Sequence, residues 1–141
     1  MHAMTAEERQ QFLSTGKRTA KVATVMEDGS PHVVPVWYAL DGEQIVFTTW
    51  HTTVKRANLE RDARVAICID DEKPPYAFVM IQGIARLEFH APDLADWTTR
   101  IAGRYLGEAV AEDYGERNAV EGEVLVRVTP TKFIAQSGIA D

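Results

Sequence analysis

The chain has 141 residues, a formal net charge of −6 at pH 7 and a hydrophobic content of 45%. This length is typical of one domain, which buries about 70% of its unfolded surface and needs no disulfide or structural metal to be stable. The acidic balance disfavours general nucleic-acid binding, and no apolar stretch approaches the roughly 20 residues of a membrane span. We therefore expect a single domain over residues 1–141 that binds neither nucleic acid nor membranes.

The one cysteine, Cys68, lies in an apolar run and has no disulfide partner within the chain. We expect it to be a small, buried core residue of low reactivity. The absence of a disulfide framework is typical of a reducing compartment, and no apolar secretion segment precedes residue 10. A cytoplasmic location is the expectation that follows.

The first part of the chain predicts a short helix followed by a meander of strands. Thr5 is a typical N-cap, and Gly16 ends the helix. Two Asp-Gly pairs, at residues 28–29 and 41–42, are strong hairpin signals because glycine accepts positive φ without a steric penalty. The strands predicted around them are residues 21–26, 31–40 and 43–49.

The rest of the chain predicts two helices and further strands. One helix covers residues 53–61, and a second, with apolar residues at helical spacing, begins at Pro92 and ends at Gly107. Residues 108–122 are acidic and are expected to form a loop with at most one helical turn. The strands predicted here are residues 64–70, 76–89 with a bulge at Gly83, 123–128 and 132–136.

Six or seven strands joined mostly by hairpins would leave many unpaired edges in an open sheet. A closed or nearly closed antiparallel barrel removes those edges. Pro35 lacks an amide donor inside the second predicted strand, so it indicates an edge, a bulge or a split in the barrel. The expected fold class is therefore mainly β, a barrel with two or three helices.

No hydrolytic or metal-binding constellation is evident: the four histidines share no metal-ligand spacing, and no nucleophile elbow, dinucleotide-binding glycine motif or P-loop occurs. Residues 49–59 instead combine hydroxyls, the free amides of a helix start and two cations, which suits a phosphate group. The alternative is that Lys55 and Arg56 form only a solvated helix face. Trp37 is likewise either a platform for a cofactor ring or ordinary core.

A chain without an acid, base or nucleophile set can still catalyse a reaction if a cofactor supplies the reactive atom. Residues 29–38 and 46–59 resemble the pyridoxamine 5′-phosphate oxidase-like, split β-barrel family of flavin and deazaflavin oxidoreductases. The resemblance covers nearly the whole chain. It implies a homodimer with two cofactors at the subunit interface, each contacted by both chains.

The resemblance also implies roles for residues that match the family by position. The implied contacts to the cofactor phosphate are Thr49, Thr53, Lys55 and Arg56. The implied contacts to the tricyclic ring are Val34, Pro35, Val36 and Trp37, together with Phe78 of the partner subunit.

Two departures narrow the choice of cofactor. Val54 stands where pyridoxamine phosphate oxidases often carry arginine, and the chain stops at Asp141 without their basic C-terminal segment. Vitamin B6 oxidation is therefore not expected. The Pro-Val-Trp-Tyr and Thr-Val-Lys segments most resemble the actinobacterial branch that uses the deazaflavin coenzyme F420. That branch implies a reductase that transfers hydride from C5 of the reduced deazaflavin to a small conjugated or carbonyl-bearing acceptor.

F420 carries a phosphodiester and an acidic oligoglutamate tail, so its site needs a longer basic groove than FMN does. Lys17, Arg18 and Lys21 either extend this groove or form a scattered solvated face. Tyr38 and His51 are the candidate proton donors besides bulk water. Two alternatives remain open: an FMN oxidoreductase on the same scaffold, and a non-catalytic protein that binds a flavin, a deazaflavin or a tetrapyrrole.

Overall fold

The computed structural model describes all 141 residues, which form eight strands and four helices rather than the six or seven strands and two or three helices expected. The strands are β1 (His2–Ala3), β2 (Ala20–Val25), β3 (Pro31–Val36), β4 (Ala39–Asp41), β5 (Gln44–Trp50), β6 (Arg64–Asp71), β7 (Ala77–Glu88) and β8 (Glu123–Ser137). The helices are α1 (Ala6–Ser14), α2 (Val54–Arg61), α3 (Leu94–Leu106) and α4 (Glu108–Asn118). None of these helices has both the length and the apolar character needed to cross a membrane.

The strands form one antiparallel sheet in the order β3-β2-β6-β7-β8-β5-β4, with β1 paired to the end of β8. The long strands β7 and β8 pair over most of their length, and the first half of β8 pairs with β5 along its other edge. The sheet curls around one apolar interior, while its end strands β3 and β4 are not paired with each other. The mainly β, split-barrel fold is thereby confirmed.

The predicted strand over residues 31–40 is wrong, because the chain leaves the sheet at Trp37 and Tyr38. Its two halves become β3 and β4, which lie at opposite ends of the sheet order. Tyr38 turns into the barrel, where its hydroxyl donates to the Leu13 carbonyl at 2.7 Å. This run therefore crosses from one edge of the sheet to the other, and the split lies at that crossing.

Two further predictions need correction. Residues 108–122 are not mainly loop, because α4 occupies eleven of them. The two last predicted strands are one strand, β8, which passes through Pro130 because the ladder shifts register there. Gly83 lies opposite Pro130 and Gln82 lies opposite Lys132, so Thr131 is the extra residue of a bulge. The predicted irregularity at Gly83 is confirmed.

The remaining local predictions are confirmed. Thr5 caps α1 in a reciprocal capping box with Glu8, and Thr53 caps α2. Both Asp-Gly turns form, with φ of +86° at Gly29 and +60° at Gly42. These features depend on neighbours in the sequence, which is why the pattern alone predicts them.

Apolar residues pack on both faces of β5 and β8. On the inner face, Phe47 and its neighbours fill the barrel and are fully buried. On the outer face, Val46 and Leu125 pack beneath Trp97 and Ile101 of α3. Strand alternation, with successive side chains on opposite faces, produces this double layer.

Cys68 is not a core residue as predicted. It is half-buried on the outward face of β6, because its neighbours Ile67 and Ile69 point into the barrel. Burial raises the pKa of its thiol, and the carboxylate of Asp70 acts in the same direction. The thiol therefore stays protonated at neutral pH.

Two arginines fix α3 over the sheet. At its start, Arg127 of β8 is only 9% exposed and donates to three carboxylates within 3.0 Å. These belong to Asp41, Glu88 and Asp93. At its end, Arg104 donates to the carbonyl groups of Leu13 and Gly16, which tie α3 to α1. The position of α3 is thus set by polar contacts at both ends.

Candidate cofactor site

The turn between β5 and α2 brings two predicted phosphate contacts together. The hydroxyl groups of Thr49 and Thr53 lie 2.6 Å apart, and Thr49 is only 3% exposed. The Thr53 hydroxyl also accepts the backbone N–H of Arg56 at 3.4 Å, as an N-cap does. Both hydroxyls therefore have partners within the turn, and the groups left for an anion are the first amides of α2 and the Lys55 ammonium.

Lys55 is half-buried in the first turn of α2. Burial lowers the pKa of its ammonium group, and the carboxylate of Glu123 partly opposes this shift. Lys55 takes part in none of the ion pairs of the structure. A desolvated cation without a paired carboxylate is unfavourable until an anion binds, so this position fits a phosphate.

Arg56 is already engaged in the ligand-free chain. Its Nε donates to the carbonyl of His51 at 2.6 Å, and its guanidinium pairs with Glu60 one turn along α2. A direct contact between Arg56 and a phosphate would require this side chain to leave Glu60.

A cavity of about 210 Å³ lies between the outer face of the sheet and the helices α3 and α4. Its lining contains no charged side chain. The lining residues are Val36, Trp37, Thr48, Thr98, Ile101, Ala102, Tyr114 and Asn118. The cavity is smaller than the roughly 300–1,000 Å³ of sites that enclose a whole drug-sized ligand, so it suits part of a ring or a small molecule.

The Trp37 ring is held in place at one side of this cavity. It stacks on Tyr105 of α3 with ring centroids 5.0 Å apart and an interplanar angle of 5°. The Tyr105 hydroxyl in turn donates to the Arg18 carbonyl at 2.7 Å, and Tyr114 of α4 lies 6.3 Å from Trp37 on another side. Trp37 is therefore an ordered wall, 37% exposed, rather than buried core.

The four predicted ring contacts separate into two groups. Val36 and Trp37 line the cavity, and Pro35 lies on a shallow hollow beside it. Val34 lies opposite Val22, a fully buried residue, so its side chain points toward the barrel interior. The structure thus brings Val36 and Trp37 to the same cavity as Thr48, the neighbour of Thr49.

Phe78 lies far from this group in a single chain. It pairs with Asp70 and Gln136 at the start of β7, whereas the end of β7, Glu88, pairs with Leu125 near the α2 turn. Ten residues of strand separate the two ends, or about 33 Å at the usual rise of 3.3 Å per residue. Contact between Phe78 and a ligand at Lys55 would need a second copy of the chain.

Within one chain, Arg18 and Lys21 do not adjoin Lys55. Arg18 pairs with Asp71 at 3.2 Å, and Lys21 pairs with Asp70 at 2.7 Å. Both carboxylates belong to the last residues of β6, whereas α2 ends just before β6 begins. These cations are neutralised at the opposite end of β6 from Lys55.

The two candidate proton donors do not face the cavity. Tyr38 is fully buried, its hydroxyl is bonded to Leu13, and burial raises its pKa, so that role is wrong. His51 is exposed and packs beside Trp50 with ring centroids 4.8 Å apart. It lines a separate, open hollow on the other side of the α2 turn.

Four residues near the site were missed in the sequence: Thr48, Tyr114, Asn118 and Glu123. Thr48 and Thr49 are adjacent in β5 and therefore face opposite sides of the sheet, but only the packing of α3 shows which side holds the cavity. Tyr114 and Asn118 belong to α4. The signal available for α4 was its content of alanine and glutamate, which favour helices.

The family profile described as pyridoxamine 5′-phosphate oxidase matches residues 5–137 of the chain. A comparison with curated proteins finds no match. Among solved structures, the conserved hypothetical protein Rv2991 from Mycobacterium tuberculosis is 24% identical, with a TM-score of 0.83 over 96% of this chain and 86% of that one. An F420 reductase is 26% identical, with a TM-score of 0.69 over 88% and 94%.

The heme storage protein HutZ from Vibrio cholerae has a TM-score of 0.72 at 18% identity, over 96% of this chain and 98% of that one. That likeness shows the fold alone. The family includes oxidoreductases as well as a heme storage protein. With the profile matching nearly its whole length and a split barrel in its structure, the chain belongs to the pyridoxamine 5′-phosphate oxidase-like family.

Proposed function

We propose that this protein is a reductase that binds coenzyme F420 and reduces a small conjugated or carbonyl-bearing acceptor. The observation that carries the proposal is the half-buried Lys55, which has no ion-pair partner, at the start of α2. This helix follows β5, whose Thr48 lines an uncharged cavity together with Val36 and Trp37. The likeness to an F420 reductase over 88% of the chain supports the choice of deazaflavin.

When bound, the reduced deazaflavin supplies a hydride from its C5 position. The chain contributes binding and positioning: Lys55 and the first amides of α2 hold the phosphate, and Val36 and Trp37 contact the ring. The helices α3 and α4 form one wall of the cavity, which stays open to solvent on one side. No carboxyl, imidazole or ammonium group lines the cavity, so the proton that completes the reduction comes from water.

The cavity lining favours an uncharged acceptor. Besides its aliphatic side chains and the Trp37 ring, it offers only hydroxyl and amide groups, which belong to Thr48, Thr98, Tyr114 and Asn118. Three of these are already engaged. Thr98 donates to the Gly115 carbonyl at 2.8 Å, Asn118 donates to the Tyr114 carbonyl at 2.8 Å, and the Thr48 hydroxyl donates to the Glu123 carboxylate. A small molecule with one or two carbonyl oxygens fits this lining, and an ion would lose its hydration without gaining a counter-charge.

A homodimer is part of the proposal. The outward face of β3, β2, β6, β7 and β8 carries exposed apolar side chains, among them Val33 at 63%, Ile84 at 47% and Ile134 at 38% exposure. A second copy of the chain on this face would bury them, and Phe78 of the partner subunit would then complete the ring site. Sedimentation velocity at micromolar concentration decides between monomer and dimer.

The test is a pair of fluorescence titrations of the purified protein, one with F420 and one with FMN. We expect micromolar or tighter binding of F420, weaker binding of FMN, and consumption of reduced F420 when an enone or carbonyl acceptor is added. Tighter binding of FMN would move the protein to the flavin branch. Binding without turnover across an acceptor panel would favour a storage protein.

The Lys55→Met variant tests the anchor itself. Loss of a charge-assisted hydrogen bond should lower F420 affinity at least tenfold, or about 1.5 kcal/mol. Lys73→Met, which removes an exposed lysine of the loop between β6 and β7, is the matched control and should bind as the parent does. Equal affinity in the Lys55→Met variant and the parent would refute the anchor.

A further inference from the structure

Glu123 places a carboxylate beside the proposed phosphate site. It is the first residue of β8 and lies opposite Trp50, at the end of β5 from which the α2 turn departs. The His51 N–H donates to the Gly122 carbonyl at 2.8 Å, which holds the start of β8 against this turn. Glu123 is half-buried and shares the outer face of the sheet with Thr48, two positions before Trp50.

The charges around this site nearly cancel. Lys55 contributes one positive charge and Glu123 one negative charge, while Arg56 is paired with Glu60. The only charged group that shifts the pKa of Lys55 is Glu123, and the only one that shifts the pKa of Glu123 is Lys55. The two side chains nevertheless do not form an ion pair. Burial raises the pKa of Glu123, and the Thr48 hydroxyl and Lys55 oppose this shift. Val54, the preceding residue, adds no charge.

The negative charge of the ligand's phosphate therefore determines how strongly the Glu123 carboxylate repels it. At pH 7 a phosphate monoester such as that of FMN carries about −1.5 to −2 charges, because its second pKa is about 6. A phosphodiester, such as that of F420, carries one negative charge. The Coulomb energy of repulsion from a fixed carboxylate is proportional to the ligand's charge, so the monoester is repelled about twice as strongly.

We propose that Glu123 is a specificity residue that selects phosphodiesters over phosphate monoesters at the Lys55 site. This inference rests on the proposed function, since it needs the phosphate at Lys55. It assigns the preference for a deazaflavin over FMN to one carboxylate at the start of β8 and to the absence of a second free cation, rather than to the ring.

The test uses three flavins with the same ring and ribityl chain. Riboflavin has no phosphate, riboflavin 5′-methylphosphate has a phosphodiester with one charge, and FMN has a phosphate monoester. Their affinities are measured at pH 8, where FMN is a dianion, for the parent and for Glu123→Gln. If the variant binds the methyl diester about threefold more tightly, it should bind FMN about tenfold more tightly, because the free-energy gain doubles with the charge. Riboflavin affinity should not change. Glu121→Gln, which removes an exposed carboxylate two residues earlier, is the matched control.

A second variant keeps the proposal testable if Glu123→Gln folds poorly. Glu123→Ala removes the same carboxylate with a smaller side chain and should give the same order of gains. If the parent binds F420 but no FMN, either variant should bring FMN binding into the measurable micromolar range. In the parent, the preference for the diester should narrow as the pH falls below about 6 and the monoester loses its second charge.

The outcomes separate this inference from the proposed function. Equal gains for all three flavins, or no gain in either variant, would overturn the role of Glu123 and leave an F420 reductase intact. Gains that scale with charge in a protein that does not bind F420 would support Glu123 and overturn the proposed function. Binding of none of the four ligands would overturn both.

Discussion

The two faces of β5 differ in how completely they are packed. On the inner face, Phe47 belongs to a buried cluster built mainly from the other strands of the barrel, with Leu13 of α1 and Leu59 of α2. On the outer face, Thr48 borders a cavity of about 210 Å³, because two helices cover the sheet there without filling every gap. A curled sheet can pack against itself along its whole length, whereas helices laid on a sheet leave space where their contacts end. Binding sites form in such spaces.

The two helices over the outer face, α3 and α4, differ in how firmly they are attached to the rest of the fold. Arg127 and Arg104 tie both ends of α3 to the rest of the fold. The helix α4 is held mainly by α3, through a contact in which Gly115 approaches the α3 backbone. The cavity is thus bounded by one firmly fixed helix and one helix that depends on it.

The largest expected effect lies on the inner face. Phe47→Ala should lower the free energy of unfolding by about 3–5 kcal/mol, because it removes a fully buried ring from a packed interior. Ile101→Ala, at the edge of the cavity, should cost only about 2 kcal/mol, since that region already contains free space. Chemical denaturation measures both. Equal losses would contradict the difference between the two faces.

The next effect concerns the attachment of α4. A Cβ atom at Gly115 would lie 2.7 Å from the Cα of Thr99 and 2.8 Å from its backbone N, so Gly115→Ala must push α4 away from α3. We expect a loss of about 1–3 kcal/mol in stability and weaker binding of the cofactor, because Tyr114 and Asn118 move with the helix. Glu112→Ala, an exposed change on the same helix, should alter neither quantity. Unchanged cofactor affinity in Gly115→Ala would show that α4 does not wall the site.

The smallest expected effect is a gain in stability, whereas Phe47→Ala and Gly115→Ala are expected to lower it. The folded state lowers the pKa of Lys55 below 10.5, so at neutral pH its charge destabilises the ligand-free fold, and the cost disappears as the pH rises toward 10.5. Lys55→Met should therefore stabilise the ligand-free protein at pH 7, by less than about 1 kcal/mol because the group is half-exposed. Denaturation at pH 7 and pH 10.5 measures the difference in stability between variant and parent, which should be smaller at the higher pH. A less stable variant would mean that Lys55 already has a favourable partner.

Much of the fold could be predicted because the signals are local. Thr5 and Thr53 cap their helices through groups three residues away, and the Asp-Gly turns need only the conformational freedom of glycine. The run over residues 31–40 was mispredicted as one strand, because nothing in its pattern shows that Tyr38 finds a carbonyl partner inside the barrel. The helix α4 was mispredicted because its stability depends on contact with α3.

The family, the mainly β architecture, the helix caps and the grouping of Thr49, Thr53 and Lys55 in one turn could all be read from residues close together in the chain. Three features needed the folded chain: the face of β5 that borders the cavity, the place of Glu123 at the end of β5 that leads into α2, and the position of Phe78 at the far end of β7. These are matters of strand register and helix packing. They join residues that are distant in the chain, and local pattern carries no information about such pairs.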